Sequence, residues 1–376
     1  RFGSFSTNRL DKKELETLIT NGIESTRYLA VDESRMLADP ARYYKGGKPD
    51  LQLFDKKLYE VNPDDKVAIA RAAAEEVLGK DERIISVDSS YSDGEGSSYR
   101  LISNGFEGES KSTWFSVSAS VSIKGEGEAR PQDYWYDSAL FYDKLTKAGI
   151  GAKALERVLR KLGQKKAKSG KYTMVVDPMN VGNLLSPMLS ALYGSALQQK
   201  NSFLMDKLDT KVASDLFTLR DEPHAIGANG SRYFDNEGVA TEPRTVFDKG
   251  VLKTYFIDTY NGKKMDIAPT ISAPSRLILT PGDKDLNGLV ADIKQGILVT
   301  GFNGGNSNSS TGDFSYGIEG FLIEDGKLTQ PVNEMNVTGN MVTLWNSLVA
   351  VGNDPQPNRS WQIPSLVFEG VDFSGL

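Results

Sequence analysis

The sequence predicts an α+β protein of more than one domain, and three observations carry that reading. Between Thr113 and Ile123 the residues alternate strictly, with Phe115, Val117, Ala119, Val121 and Ile123 on one side and Ser116, Ser118, Ser120 and Ser122 on the other. That period of two is the mark of an antiparallel strand with one wet face. Windows of helical period flank this strand, and beyond Gly170 the character shifts to apolar runs separated by Asn, Asp and Gly turns. At roughly 150 residues per domain, a chain of 376 residues should hold two or three domains.

The elements follow in order. From Leu10 to Leu29 the residues Leu15, Leu18, Ile19 and Ile23 recur at helical spacing with Asp11 as cap, which predicts a surface helix. Leu37 to Pro63 is rich in Pro, Gly and Lys and reads as an extended connection. Asp64 and Asp65 open a helix to about Leu78, with Val67, Ala70, Ala74 and Val77 on one face. The stretch DSSYSDGEG, Asp88 to Gly96, fails as a calcium loop, because Gly94 at loop position six puts Arg100 where a bidentate Glu is required, and it reads as a turn. After the alternating strand, a helix from Ala148 to Lys168 closes the segment. The basic run Arg157 to Lys171 fits a helix packed through Val158, Leu159 and Leu162 with a solvated basic face.

A strand from Tyr172 to Val176 leads into one long apolar helix on which Val181, Leu184, Leu185, Met188, Leu189, Leu192 and Leu197 recur at helical spacing, with Asn180 as cap. Pro187 should kink it, unless Pro178 and Pro187 bound a short first segment. Hairpin turns are expected at Asn236-Glu237-Gly238, Asp248-Lys249-Gly250 and Glu324-Asp325-Gly326, and no fixed-period repeat is present. The expected organisation is residues 1–60 as the remainder of an N-terminal segment and linker, 61–170 as a central α+β domain, and 171–376 as a mostly antiparallel β domain built around the long helix.

Composition narrows the chemistry. Hydrophobic residues at 39% and charged residues at 25% are ordinary for a globular chain. A net charge of −6 argues against direct nucleic-acid binding, which rests on Lys and Arg neutralising phosphates. Without any cysteine, disulfides, thiolate zinc sites, iron–sulfur clusters and Cys nucleophiles are excluded. No run approaches the roughly 20 apolar residues that span a bilayer, so no membrane association and a cytoplasmic location are expected. The opening RFGSFSTNRL has neither an apolar signal region nor an initiator Met, as in a chain trimmed at its N-terminus.

Candidate catalytic groups are few. The single histidine, His224, lies in the loop-like stretch DEPHAIGANG, so any His-based triad would have to use it; a His beside Pro in a polar segment is more often structural. Paired carboxylates at Asp235 and Glu237 could in principle do acid/base work, although Asp-Asn-Glu-Gly favours a turn.

Four stretches together resemble the TldD/PmbA peptidase family, often labelled modulators of DNA gyrase: DPMNVGNLLSPMLSALYGSALQQKNSFLMDKL (Asp177 to Leu208), GSRYFDNEGVATEPRTVFDKGVLKTYFIDTYNGKK (Gly230 to Lys264), FNGGNSNSSTGDFSYGIEGFLIEDGKL (Phe302 to Leu328) and QPVNEMNVTGNMVTLWNSLVAVGND (Gln330 to Asp354). The opening GSFSTNRL also looks like the end of that family's N-terminal segment. In members that cut peptides, the central helix carries H-E-x-x-x-H, two zinc ligands and a general base, and a cysteine ligand precedes the Gly-rich turn. By resemblance the first motif falls on Leu189-Ser190-Ala191-Leu192-Tyr193-Gly194 and the cysteine on Phe302, so Leu189, Ser190, Gly194 and Phe302 are degenerate positions. The resemblance is to the PmbA type, and it implies a chain with no catalytic residues and no metal or cofactor of its own, the zinc belonging to a TldD-type partner. A heterodimer with that partner or a homodimer, a peptide substrate, and a role in peptide processing are implied. Asn303, Gly304 and Gly305, in a Gly-rich turn expected to run to Gly312, are candidate peptide contacts because Gly permits close backbone approach, and Arg232 and His224 join them as candidates. Two other readings stay open: a homo-oligomeric peptide- or protein-binding module, and an autonomous peptidase with an unrecognised site.

Overall fold

The computed structural model describes residues 1–376. Helix α1 (Lys12–Arg27) begins where Asp11 accepts from the Glu14 amide at 3.0 Å. Its expected apolar face is only half covered: Leu15 and Leu18 are half-buried, whereas Ile19 is 60% and Ile23 54% exposed. Helix α2 (Pro63–Glu75) is capped by Asn62 rather than by the aspartates that follow it. It buries Ala73, with Val77 buried just beyond its end, while Val67 stays in water.

Three strands follow: β1 (Ile84–Ile102), β2 (Phe106–Ile123) and β3 (Gln132–Ala139), antiparallel in the order β1-β2-β3. The alternation in β2 is realised as expected. Phe115, Val117, Val121 and Ile123 are fully buried, each worth about 1.5–3 kcal/mol against exposure. On the other face serines pair across the strands, Ser86 with Ser122 at 3.1 Å and Ser90 with Ser118 at 2.9 Å. Asp88 to Gly96 is no turn but the middle of β1, and its register explains why: Gly94 sits opposite Trp114. A Cβ at Gly94 would stand 3.0 Å from the indole, so this glycine gives the ring its place instead of bending the chain.

Helix α3 (Ile150–Leu159) packs on this sheet beside α2. It ends well short of Lys168, as the chain passes through Gly163 at φ +73°. The basic run is also not simply solvated, because Lys161 is only 7% exposed.

The remainder comprises β4 (Gly170–Val176), α4 (Gly182–Ser190), α5 (Gly194–Gln198), β5 (Leu219–Asp221), β6 (Arg244–Asp248), β7 (Val251–Leu252), α6 (Thr259–Met265), β8 (Leu277–Leu279), α7 (Leu286–Ala291), β9 (Gln295–Ser307), β10 (Asp313–Glu324), β11 (Lys327–Asn340), α8 (Met341–Asn346), β12 (Leu348–Val351), β13 (Trp361–Gln362) and β14 (Leu366–Ser374). The single long helix expected here is instead two short ones, α4 and α5. The break lies at Tyr193, whose neighbour Gly194 donates to the Phe256 carbonyl at 2.7 Å while the Phe256 amide donates to Leu192 at 2.9 Å. Backbone pairing with residue 256 replaces the helical bonds.

The larger sheet runs β11-β10-β9-β4-β14-β12, and β11 also pairs with β14 through Asn336–Thr338 and Asp372–Ser374. Five strands therefore form a closed circuit of pairings, with β4 and β9 parallel and the rest antiparallel. A second sheet of short strands runs β13-β8-β5-β6-β7. The hairpin turns at Asp248-Lys249-Gly250 and Glu324-Asp325-Gly326 stand as read, between β6 and β7 and between β10 and β11. The main core gathers α4, α8 and both sheets around Trp345 and Phe368, and a separate core lies between α2, α3 and the three-stranded sheet. The extended connection is anchored rather than free: Tyr43 bridges Val239 and packs on Phe106, whose ring meets Phe234 at 5.0 Å.

Candidate functional site

Helix α4 is positioned by its apolar face, with Leu184, Leu185, Met188 and Leu189 all buried in the main core. Leu189 thus points into packing, whereas Ser190 is exposed. Gly194 is buried where the chain leaves the helix, and a Cβ there would stand 2.9 Å from Cβ of Asn261 and 3.3 Å from Cα of Ile257. No side chain larger than hydrogen fits at 194 without displacing α6. Phe302 packs edge-on against Tyr316 at 5.6 Å and borders the main core.

The residues around Phe302 belong to a strand, not to the turn expected from Asn303 onward. Asn303, Gly304 and Gly305 lie within β9 and are exposed, and the turn proper spans Asn308 to Gly312. Between Phe302, opposite Ile318, and Gly305, opposite Tyr316, the register slips, so Asn303 and Gly304 form a bulge. Gly304 at φ +74° and Gly305 at φ +94° supply the left-handed backbone that a bulge needs. The hairpin is held to the α4–α5 segment by Asn201, whose Oδ1 accepts from Ser309 Oγ at 2.7 Å and Ser310 Oγ at 2.5 Å, while the Phe203 amide donates to the Ser309 carbonyl at 2.9 Å. The structure therefore ties the loop after α5 to the turn beyond the glycine bulge, while Phe302 borders the same core that α4 fills.

Arg232 and His224 sit on a different loop. Arg232 donates to Ser275 Oγ at 2.8 Å and to the carbonyls of Ala273 and Pro274 at 2.7 and 3.1 Å, which ties its guanidinium to the loop before β8. Its charge also reaches Tyr193, opposing the upward push that burial gives that phenol. His224 Nε2 is 3.0 Å from Thr241 Oγ1, and that hydroxyl donates to the Arg232 carbonyl at 2.5 Å. With the Thr241 proton committed, Nε2 is the donor and the ring is fixed in one tautomer. Burial and Lys48 push the imidazole pKa down. No hydrogen bond joins Arg232 or His224 to the glycine bulge.

Asp235 and Glu237 both serve the backbone. Buried Asp235 accepts from the amides of Glu237 at 2.8 Å, Val239 at 3.0 Å and Ser272 at 3.0 Å. Glu237 Oε2 accepts from the amide and the hydroxyl of Thr259 at 2.9 Å, at the start of α6, and burial raises its pKa. A carboxylate whose lone pairs hold amides in place is poorly disposed to carry protons to a substrate.

Nowhere do three His, Cys, Asp or Glu side chains converge to hold a metal ion. The residues at 189, 190, 194 and 302 supply no zinc donor, and the group does not fit. Missed from the sequence is a buried ionic cluster between α3 and the larger sheet, where Lys161 meets Asp133 at 3.1 Å and Glu319 at 2.7 Å, and Arg157 meets Asp133 at 3.3 Å. Its only trace was the i, i+4 spacing of Arg157 and Lys161, hidden inside the basic run. No helix is long and apolar enough to cross a membrane.

Residues 169–375 match the PmbA/TldA metallopeptidase C-terminal domain and residues 56–162 the central domain of the same family. A metalloprotease PmbA homolog of Haemophilus influenzae is 28% identical over 99% of this chain and 83% of its own length. The metalloprotease PmbA of Escherichia coli O157:H7 is 27% identical over 100% of the chain and 83% of its own. A crystal structure of a Bacteroides thetaiotaomicron protein, described as a candidate modulator of DNA gyrase, superposes with a TM-score of 0.99 at 73% identity, covering 100% of this chain and 86% of that one. TldE from Thermococcus kodakarensis, at 22% identity and a TM-score of 0.80 over 98% of this chain and 86% of its own, shares the fold.

Proposed function

Since the chain belongs to the PmbA/TldA metallopeptidase family, we propose that it is the non-catalytic subunit of a peptide-processing zinc peptidase in the cytoplasm, the metal being held by a TldD-type partner. The observation that carries this reading is Gly194. A zinc-binding imidazole at that position would have to occupy space already filled by Asn261 and Ile257, so the packing of α6 has been built without a ligand there. Leu189, buried at 2% exposure, is likewise a core residue in the place of the other histidine. Curated relatives named as metalloproteases support peptide processing as the setting.

The partner is supported by the surface of α1. Ile19, Ile23 and, just past its end, Tyr28 at 92% exposure leave apolar surface in water, which in folded proteins marks association. On the substrate side, the bulge at Asn303 to Gly305 is exposed, and extended peptides are commonly read through exposed strand backbone. Arg232 and His224 remain candidate peptide contacts, since their hydrogen bonds to the neighbouring loop use Arg232 Nε and Nη2 and His224 Nε2 and leave Arg232 Nη1 and His224 Nδ1 without one.

The test is to express the chain alone and with the TldD-type subunit of the same organism, and to measure zinc content and cleavage of an unfolded peptide. Zinc and cleavage only in the mixture support the proposal. Cleavage by the chain alone, free of metal, would refute it and return attention to a carboxylate mechanism.

A further inference from the structure

Between α3 and the outer face of the larger sheet lies a cleft of 250 Å³, smaller than the roughly 300–1,000 Å³ of drug-sized ligand pockets. Its walls differ in kind. One is apolar, formed by Val290, Leu298, Phe321 and Leu328, and the other is charged, formed by Asp133, Arg157, Arg160, Lys161 and Asp177.

The charged wall is not self-satisfied. Lys161 spends its three donors on Asp133, Glu319 and the Gln132 carbonyl. Arg157, by contrast, donates only through Nε to Asp133, and its terminal nitrogens have no acceptor within hydrogen-bond distance. Asp177 is 8% exposed, yet only its Oδ1 is bonded, to the Met179 amide at 2.7 Å. Its Oδ2 has Arg157 Nη1 at 3.8 Å, too far for a hydrogen bond. Burial accordingly raises the pKa of this carboxyl. That oxygen carries no protein hydrogen bond and is not sealed from the cleft, so a guest donor can reach it, and a donor there replaces water at a carboxylate in a largely buried setting. Arg160, at the mouth, lies over the Phe321 ring at 4.7 Å, with Glu156 Oε1 at 3.8 Å from its Nη1.

These groups define a ligand. Four cations (Lys153, Arg157, Arg160, Lys161) balance four carboxylates (Asp133, Glu156, Asp177, Glu319) in and beside the cleft, so a guest of net charge would upset the balance and a zwitterion would not. We propose that the cleft binds a small zwitterion, a free α-amino acid with an apolar side chain: its ammonium donates to Asp177 Oδ2, its carboxylate accepts from Arg157 and Arg160, and its side chain lies against Leu298 and Phe321. Binding joins the three-stranded sheet domain to the larger sheet through one molecule. The site stands apart from the degenerate zinc region and does not depend on the subunit reading.

The experiment is calorimetric titration of the full chain with L-leucine, L-methionine and L-phenylalanine, beside N-acetyl-L-leucine, which lacks the ammonium, and L-leucinamide, which lacks the carboxylate. At least one free amino acid should bind saturably, and each blocked leucine should bind about tenfold more weakly or worse, as loss of a charge-assisted bond implies. Asp177→Asn should weaken the amino acid about tenfold, and Arg160→Gln, at an exposed position that leaves the fold intact, about threefold or more. The proposal is overturned if none of the three binds, if the blocked forms bind equally well, or if Arg160→Gln binds as the unaltered chain does.

Discussion

Glu76, at the end of α2, closes the start of α3: its Oε2 accepts from the Gly151 amide at 2.8 Å and its Oε1 from the Gly149 amide at 2.6 Å. Gly149, at the N-cap position, has no side chain to do this, so the cap is supplied by another helix. Replacing Glu76 by Ala should cost about 1–2 kcal/mol, the range for a lost cap and its charge, read as a lower urea midpoint with unchanged slope. Gly151→Ala should cost more, about 2–3 kcal/mol by overpacking, because its Cβ would overlap the Ala73 carbonyl.

Restoring the zinc motif by substitution should fail. The combined variant Leu189→His, Ser190→Glu, Gly194→His and Phe302→Cys puts an imidazole into the space of Asn261 and another into the main core. Its melting temperature should fall, with at least about 2–3 kcal/mol lost from the buried leucine alone. Elemental analysis after dialysis should show well under one zinc per chain; a stoichiometric, folded zinc protein would refute the packing argument.

Glu237 should make the protein less stable as pH rises. Burial lifts its folded pKa above the ordinary value of 4.5, so between these values the folded chain holds a proton that the unfolded chain has released. Stability falls as pH climbs through that window and is level above it. Glu237→Gln can still accept from Thr259 but carries no titrating proton. Relative to the unaltered chain it should gain stability upward from about pH 4.5 and show no such gain below, in urea titrations from about pH 4 to about pH 8.

Charging the exposed half of the apolar face of α1 should leave the subunit intact and unpair it. Ile19→Glu with Ile23→Glu alters side chains already in water, so the melting temperature of the isolated chain should move by less than the equivalent of about 0.5 kcal/mol. Co-purification with the TldD-type subunit should drop at least about tenfold. Undiminished co-purification would remove α1 from the interface.

What the sequence disclosed depends on how local the cause is. The alternation of Phe115 to Ile123, the Asp11 cap and the glycine turns at 250 and 326 are written within a few residues, and they were legible. Asp88 to Gly96 was misread because its strand pairing is decided by Trp114, some twenty positions on in the register. The broken helix was misread because Phe256 is what interrupts it. The ionic cluster escaped for the same reason: Arg157 and Lys161 look like solvated charges until Asp133 and Glu319 arrive from other strands and Asp177 from just past β4. Local pattern shows which face is apolar, whereas partners distant in sequence decide where a charge is buried.

The closed circuit of five strands also sets a timetable for synthesis. β4 pairs with β14 through Tyr172–Val371 and Val176–Leu366, about 190 residues later in the chain. At about 5–20 residues per second, a ribosome needs roughly 10–40 s to deliver that second strand. For that interval β4 has an open edge of the kind that recruits other chains, while the buried core between α2, α3 and the three-stranded sheet is made entirely from residues 73–158. The first core can form as it emerges, and the circuit must wait for β14, so nascent chains stalled short of residue 366 should be the ones that chaperones hold.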